Sequence, residues 1–364
     1  MKIAIITPRF AFSGVPLAQI RLAQSLSNRG YVVDLLIGNI PNLKDLPTLN
    51  NINLINFKTK KVRNMFWHLI KYLFHSKPHV VFSAEDHLNI LVIIAHSLTR
   101  SKAKLSCSSR VTPYDTFSNK ILTKRWILKI LYSMLHNRAD VSSCVSYGMV
   151  EQYKKIFKNS RHQPIYNIID PMLSKKLINE PLNDPDFNEN ELPIMIAAGT
   201  LAHWKGFDLL IKAAKILLSS YKFKLFILGD GPDKNLLENM IKDYKLEGVV
   251  ILKGKVNNTL KYFKASDIFI LSSRVEGMPN VLIEAMMCGC TPVSFDCETG
   301  PNEIILNQEY GYLAKPTCIN SLSEAIARAL DSRISDKKLY ERVKLFSEES
   351  VLQKHFDALG LKLR

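Results

Sequence analysis

The sequence has no long apolar run, no paired-cysteine motif and, in its first half, few acidic residues. Its longest apolar stretch, Leu88 to Leu98, is interrupted by Asn89 and His96. That falls short of the roughly 20 residues a membrane-spanning helix needs. The N-terminal MKIAIITPRF breaks at Pro8 and reads as a first strand, not a secretory leader. Six cysteines are scattered, with no C-x-x-C pair and no histidine at zinc-finger spacing, which argues against a disulfide framework or structural zinc and fits a reducing compartment. No G-x-G-x-x-G follows the first strand, where TPRFAFSG stands, so a Rossmann oxidoreductase is disfavoured.

What is present is a chain of 364 residues, 47% hydrophobic and 23% charged, long enough for two globular domains. The formal net charge is +16, and residues 1–170, with 24 Lys/Arg against 8 Asp/Glu, carry all of it. Such a one-sided basic half suits a polyanionic partner: nucleic acid, an anionic membrane face or a phosphate-bearing substrate. No groove-reading motif accompanies the charge, which leaves a non-enzymatic nucleic-acid-binding protein as a lesser alternative. Two stretches favour the membrane. Lys58, Lys60, Lys61 and Arg63 lead into Met65, Phe66, Trp67, Leu69, Ile70, Tyr72, Leu73 and Phe74, and Lys120, Lys124, Arg125 and Lys129 surround Trp126, Ile127, Leu128, Ile130 and Leu131. Bulky apolar residues beside lysines resemble interfacial helices; ordinary helices with aromatics turned inward are the plain alternative.

Short β-branched runs at 3–6, 32–37, 80–82 and 140–145 alternate with helix-length segments, the rhythm of a doubly wound parallel sheet. Asn179 to Pro193, rich in Asn, Pro, Asp and Glu, reads as a linker or surface loop. A second series follows at 194–199, 223–231, 249–254, 267–273 and 291–295. The expected fold is therefore α/β, with two Rossmann-like doubly wound domains facing each other across a cleft, and with ligands at the carboxyl ends of the strands.

The strongest motif is Arg274-Val275-Glu276-Gly277-Met278-Pro279-Asn280-Val281-Leu282-Ile283-Glu284. Gly277 and Pro279 force a turn, and Asn280 suits an N-cap with the helix running from Val281. The amides of about Asn280 to Leu282 then converge on one anion-attracting spot. Glu276 and Glu284 flank it.

This E-x7-E pattern around G-M-P-N resembles the donor-site signature of glycosyltransferase family 4, whose members have the GT-B fold and use nucleotide sugars. Gly199-Thr200-Leu201 with Lys205-Gly206 is similar to the family's G-R-L-x-x-x-K-G, Gly229-Asp230-Gly231-Pro232 to its G-x-G-P turn, Gly254-Lys255-Val256 to its base-binding loop, and Thr299-Gly300-Pro301-Asn302-Glu303-Ile304 to its late glycine loop. The resemblance spans residues 194 to about 315, and the Ser13-Gly14 turn fits more loosely. It implies domains at 1–170 (basic, acceptor-binding) and 193–345 (donor-binding), a linker at 171–192, and a C-terminal helix at 346–364 crossing back to the first domain.

The resemblance also implies roles. Lys205 and Glu276 are catalytic, Lys205 on the donor diphosphate and Glu276, with the amides along the turn Gly277 to Asn280 (Pro279 itself having no N–H), on the transferred sugar. Glu284 holds the ribose, Val256 lies near the base, and Gly14, Gly231, Val281 and Leu282 complete the donor site. A fixed lysine and a helix N-terminus meet the charge growing on the leaving diphosphate, so no metal and no cofactor is expected. The family retains anomeric configuration, which assigns Glu276 to positioning rather than nucleophilic attack. Thr200 stands where relatives commonly carry Arg; Arg274, His203 or a basic residue of the N-terminal half are candidates to compensate, and Thr200 can still donate one hydroxyl bond. Asp184-Pro185-Asp186 offers a D-x-D pattern but lies in the linker and reads as structural.

On the acceptor side, Asp86-His87 follows the strand VVFSA, and Ser109-Arg110 ends KLSCS. His87 is a third catalytic candidate; Asp86 and Arg110 are acceptor-binding candidates, Arg110 toward a phosphate. His68, His75, His96, His136 and His162 read as packing or surface residues, and Cys288 and Cys290, in a helix and its C-terminal turn, are assigned no chemistry. SFDCETGPNEII resembles relatives that transfer galactose or N-acetylhexosamines in bacterial surface-glycan assembly. Together these imply a metal-independent retaining hexosyltransferase that moves a hexose or N-acetylhexosamine from a UDP-sugar to a lipid-linked or lipopolysaccharide-type acceptor. The implied place is the cytoplasmic face of the membrane, held peripherally by the basic half, without nucleic acid. A GDP-sugar, mannosyl-type enzyme of the same fold is the alternative.

Overall fold

A computed structural model describes residues 1–11, 14–42, 46–169, 176–188 and 192–364. Ser13 and part of the expected linker, at 171–175 and 189–191, lie outside the described residues. The chain divides into two compact units, one of Met1–Ile168 with Glu348–Arg364 and one of Ile169–Ser347.

Unit 1 is built on a seven-stranded parallel sheet in the order β3-β2-β1-β4-β5-β6-β7. Its strands are β1 (Lys2–Thr7), β2 (Val32–Ile37), β3 (Ile52–Asn56), β4 (Val80–Ala84), β5 (Lys104–Ser109), β6 (Val141–Cys144) and β7 (His162–Pro164). The central strands are buried on both faces, which is why they read as continuous apolar runs. On one face Ala4, Ile6, Leu36 and Val81 pack with Leu69, Leu73, Leu88 and Val92 from two helices. Elsewhere in unit 1 the helix Glu348–Ala358 sets His355 against Phe82 and Phe356 against Tyr31, and Arg29 pairs with Glu348 at 3.2 Å. The one acid within β2, Asp34, is enclosed by Tyr72 Oη at 2.6 Å, Asn53 Nδ2 at 2.9 Å and Lys2 Nζ at 3.0 Å. Burial raises its pKa, but these donors outweigh burial and hold it below the usual carboxylate value.

Unit 2 repeats the scheme with six parallel strands in the order β10-β9-β8-β11-β12-β13. They are β8 (Ile194–Ala198), β9 (Lys224–Leu228), β10 (Val250–Gly254), β11 (Ile268–Leu271), β12 (Thr291–Phe295) and β13 (Tyr312–Ala314). Met195, Ala197, Leu225, Ile227, Ile268 and Ile270 face the helices Phe207–Leu217 and Ile319–Asp331 in one apolar cluster. The described part of the Asn/Pro-rich stretch is docked on this unit. Phe187 stacks on Phe226 at 4.2 Å, and Asp184 and Asp186 both grip Lys253 Nζ at 2.8 Å. The D-x-D carboxylates are thus satisfied by a lysine.

Phe356 is fully buried, so Phe356→Ala is expected to cost unit 1 about 3–5 kcal/mol. Equilibrium urea unfolding should show this as a lower midpoint.

Candidate functional site

In unit 2 the strand order reverses between β8 and β11. In sheets of this kind the connections leaving the two neighbours diverge, and ligands are taken at their carboxyl ends. The chain leaving β8 passes through Gly199 and the short helical turn His203–Lys205 and closes at Gly206 before the helix Phe207–Leu217. Gly206 has φ +65°, and a Cβ there would lie 2.0 Å from the Ser272 carbonyl oxygen. Only glycine lets the two strand-end loops run this close. Ser272 Oγ donates to the Lys205 carbonyl at 2.9 Å, locking the loops together.

This lock sets Lys205 against the chain leaving β11. Its Nζ lies 2.6 Å from Glu276 Oε1, which also accepts from Ser273 Oγ at 2.7 Å. Both side chains are largely buried, so the contact is shielded from solvent screening. Thr299 Oγ1 donates to the Glu276 carbonyl, and Cys297 Sγ to the Ser273 carbonyl at 3.0 Å, tying the loop after β12 beneath the turn. Gly300, with φ +93°, comes so near Pro279 and the Gly277 carbonyl that a Cβ would sit 2.8 and 2.9 Å from them.

The helix Asn280–Met287 follows. Asn280 is its first residue and Pro279 its cap, without a side-chain capping bond, so the expected Asn280 cap is one position displaced. The proline's fixed φ starts the helix without a side-chain acceptor. The Leu282 amide is bonded to the Pro279 carbonyl at 3.0 Å and so does not point outward. Val281 and Glu284 are half-buried, and Met278 and Leu282 buried. Arg274 does not reach toward Thr200: it forms a bidentate pair with Asp208 at 2.7 and 2.8 Å and donates to the His203 carbonyl at 2.6 Å. Thr200 is exposed. Toward the other side of the sheet, Gly199 N bonds Leu228 O, Leu201 N bonds Asp230 O and Gly229 N bonds Gly254 O, joining the loops that carry Gly231 and the half-buried Val256.

In unit 1 the order reverses between β1 and β4. Arg9 follows β1; Glu85, Asp86 and His87 follow β4; Arg110 follows β5. Gly14 opens the helix Gly14–Asn28, with nothing within 4 Å of where a Cβ would sit. Asp86 is not open to a ligand: it is buried and accepts from Ser109 Oγ and Tyr153 Oη. Burial pushes its carboxyl up to about 6 against the pull of those donors. Ser109 continues to Tyr132 Oη at 3.1 Å and on to His162 Nε2 at 2.7 Å, a buried polar chain that fixes the ends of β4 and β5. Arg110 Nη1 donates to Asn167 Oδ1. His87 Nε2 lies 3.3 Å from Glu85 Oε2. Sequence reasoning passed over Glu85; its signal is geometric, a positive φ of 78° in a residue other than glycine.

These two sheets with their reversed strand orders define the GT-B architecture, and comparison with known proteins gives the chain its class. Residues 180–346 match the family model described as Glycosyl transferases group 1. The chain is 25% identical over 347 residues to the amylovoran biosynthesis glycosyltransferase AmsD of Erwinia amylovora, across 93% of each chain. Over 205 residues it is 32% identical to the N-acetylgalactosamine-N,N'-diacetylbacillosaminyl-diphospho-undecaprenol 4-alpha-N-acetylgalactosaminyltransferase of Campylobacter jejuni, covering 56% of this chain and 54% of that one. Among solved structures, Anabaena HepE in complex with UDP-glucose superposes with a TM-score of 0.79 over 99% of both chains at 17% identity. The protein is a glycosyltransferase with a group 1 domain in its second unit.

Gly206→Ala is expected to destabilise unit 2 by more than about 1 kcal/mol, since the new Cβ meets backbone and the backbone angle disfavours it. Thermal unfolding followed by circular dichroism measures the loss.

Proposed function

We propose that this glycosyltransferase is a family 4, retaining, metal-independent hexosyltransferase that moves a hexose or N-acetylhexosamine from a UDP-sugar to a lipid-linked or lipopolysaccharide-type glycan. The observation that carries the reading is the 2.6 Å contact between Lys205 and Glu276 at the strand reversal of unit 2. In the free protein each neutralises the other. When a donor binds, the diphosphate replaces the carboxylate as the lysine's partner. Glu276, still held by Ser273, is then released to accept hydroxyls of the transferred sugar. As the glycosidic bond breaks, Lys205 and the amide end of the helix Asn280–Met287 offset the charge growing on the diphosphate, the task a divalent ion performs in other transferases. Glu284 binds the ribose, and Val256 and Gly231 border the base. Gly14 leaves room for the phosphate, and Gly277, Met278, Pro279, Val281 and Leu282 shape the turn.

Arg274 acts at one remove, through Asp208, and Thr200 contributes at most its hydroxyl. The acceptor is met in unit 1 by His87, with Asp86 supporting it from beneath and Arg110, held on Asn167, acting on the site electrostatically. A UDP donor is supported by HepE, whose structure contains UDP-glucose, and a lipid-linked acceptor by the Campylobacter relative named for a diphospho-undecaprenol substrate. AmsD supports a place in surface-polysaccharide synthesis.

The basic unit 1 is proposed to rest on an anionic membrane at the cytoplasmic face. No helix among the described residues is long and apolar enough to cross a bilayer. The helix Phe66–Ser76 turns Leu69, Tyr72 and Leu73 inward but leaves Trp67 73% and Phe74 64% exposed. Around the helix Lys124–Leu135, Ile121, Leu122, Ile127, Ile130, Leu131 and Met134 are exposed, Leu122 at 84% and Met134 at 70%. Lys120, Lys124, Arg125 and Lys129 lie among them. Apolar insertion beside bases worth about 1 kcal/mol each at an anionic leaflet supports reversible binding.

A thermal-shift screen tests the donor. UDP at about 100 times its dissociation constant should stabilise the protein by about 2.7 kcal/mol, GDP should not, and Lys205→Ala should abolish the shift and most sugar transfer. Retention of the UDP shift by Lys205→Ala, or a shift with GDP alone, refutes the assignment. For the membrane, Leu122→Asp with Met134→Asp should release the protein from phosphatidylglycerol vesicles in co-sedimentation, while neutral phosphatidylcholine vesicles bind neither form.

A further inference from the structure

We propose that Glu85 and His87 form a sugar-hydroxyl site in unit 1 that binds the acceptor glycan, with Glu85 as its principal hydrogen-bond acceptor. The inference rests on the transferase reading above and deepens its acceptor side.

Position is the first argument. The β1/β4 reversal in unit 1 corresponds to the β8/β11 reversal in unit 2. In unit 2 the chains leaving the two strands supply Lys205 and Glu276; in unit 1 they supply Arg9 and Glu85. Both units set a base and an acid where such sheets take ligands.

The second argument is how Glu85 is held. Its backbone, at φ 78° and ψ 127°, lies where residues with a Cβ are disfavoured. Five backbone and side-chain hydrogen bonds enforce it. The Glu85 amide donates to the Ser108 carbonyl at 3.0 Å, and the Glu85 carbonyl accepts from the amides of Leu88 at 3.0 Å and Asn89 at 2.8 Å. Asp86 is pinned by Ser109 and Tyr153. This conformation presents the Glu85 carboxyl beside His87, both still partly open to solvent, while Asp86 is enclosed.

The third argument is charge. Burial raises the Glu85 carboxyl to about 7, with Asp86 adding to the rise and Arg9 and Arg110 opposing it. Burial and Arg9 lower the His87 imidazole below its usual value. His355, from the C-terminal helix, is buried near Arg110 and is itself held neutral, its pKa lowered to about 3 by burial and by Arg110. At neutral pH the site therefore presents a neutral imidazole and a carboxyl close to ionisation. A phosphate would meet that carboxylate, and Arg110 already donates to Asn167. A neutral polyol fits: one hydroxyl donates to Glu85 and a second pairs with the imidazole.

The test uses the full-length protein, radiolabelled UDP-sugars and a lipid-linked glycan extract from the source cells as acceptor. Glu85→Gln should raise the KM for the acceptor about tenfold or more, as expected on losing a hydrogen bond to a charged group. The UDP-induced thermal shift should stay unchanged. In the native enzyme kcat/KM for acceptor should rise between about pH 6 and about pH 8, and Glu85→Gln should flatten that rise. Stability supplies the control. A carboxyl whose folded pKa is raised contributes stability below its unfolded value and loses it as pH climbs through about 7. Glu85→Gln should therefore melt no lower than the native protein at about pH 8. His87→Ala, which disturbs no strained backbone, should raise the acceptor KM as well, and decides the matter if Glu85→Gln fails to fold. An unchanged acceptor KM with an intact pH limb overturns the proposal. No transfer by the native protein from any UDP-sugar overturns instead the transferase reading on which it rests.

Discussion

The closeness of two strand-end loops in unit 2 governs everything built around Lys205 and Glu276. The residues are separated by 71 positions in the chain and meet at 2.6 Å only because Gly206 permits the β8 loop to lie against Ser272. A lysine with four rotatable bonds gains little from an exposed partner. Here the loop backbone, the Ser272 bond and the enclosure of Glu276 remove most of the entropy cost before the contact forms. The ion pair thus holds two groups of opposite charge together where the two loops meet. Without its partner, either would have to be hydrated or would draw the loop away.

Support for that contact spreads sideways rather than downward. Ser273, Thr299 and Cys297 tie the β11 and β12 loops to the Glu276 segment, while the Arg274–Asp208 pair fastens the same segment to the helix leaving β8. Arg274 is therefore a brace. Its bidentate geometry resists twisting of the turn in a way that a lysine, with a single point charge, could not reproduce.

The sequence made most core strands legible because they are buried on both faces and so run apolar with few interruptions, Asp34 in β2 and the serines of β5 and β6 among them. The β3, β7 and β13 strands, INLIN, HQP and YLA, escaped because short edge strands need no such pattern. The donor-side motifs were legible in order and spacing, since their glycines and prolines act locally. What could not be read was partner choice. Nothing in the sequence distinguishes an Arg274 bound to Asp208 from one reaching toward Thr200, or an Asp86 turned inward from a Glu85 turned outward. Those outcomes depend on contacts between residues far apart in the chain. The two basic, aromatic-rich segments were likewise ambiguous: the helix Phe66–Ser76 buries part of its apolar face, whereas the segment around Lys124–Leu135 leaves most of its own exposed.

The two sheets solve the same problem differently. Unit 2 holds its carboxylate against a lysine and a serine hydroxyl, so that its charge is neutralised in place. Unit 1 holds Glu85 in a strained backbone, faces it with a neutral imidazole, and opposes its burial with two arginines that act electrostatically. The first arrangement suits a ligand that carries its own negative charge and can take over the lysine. Among the described residues the second has no lysine or arginine in direct contact to surrender, so it suits a neutral ligand that satisfies the carboxyl with hydroxyl protons. That contrast follows from the partners of two acids at corresponding places in two folds of the same kind, and under the proposed function it gives each unit a different class of substrate to hold.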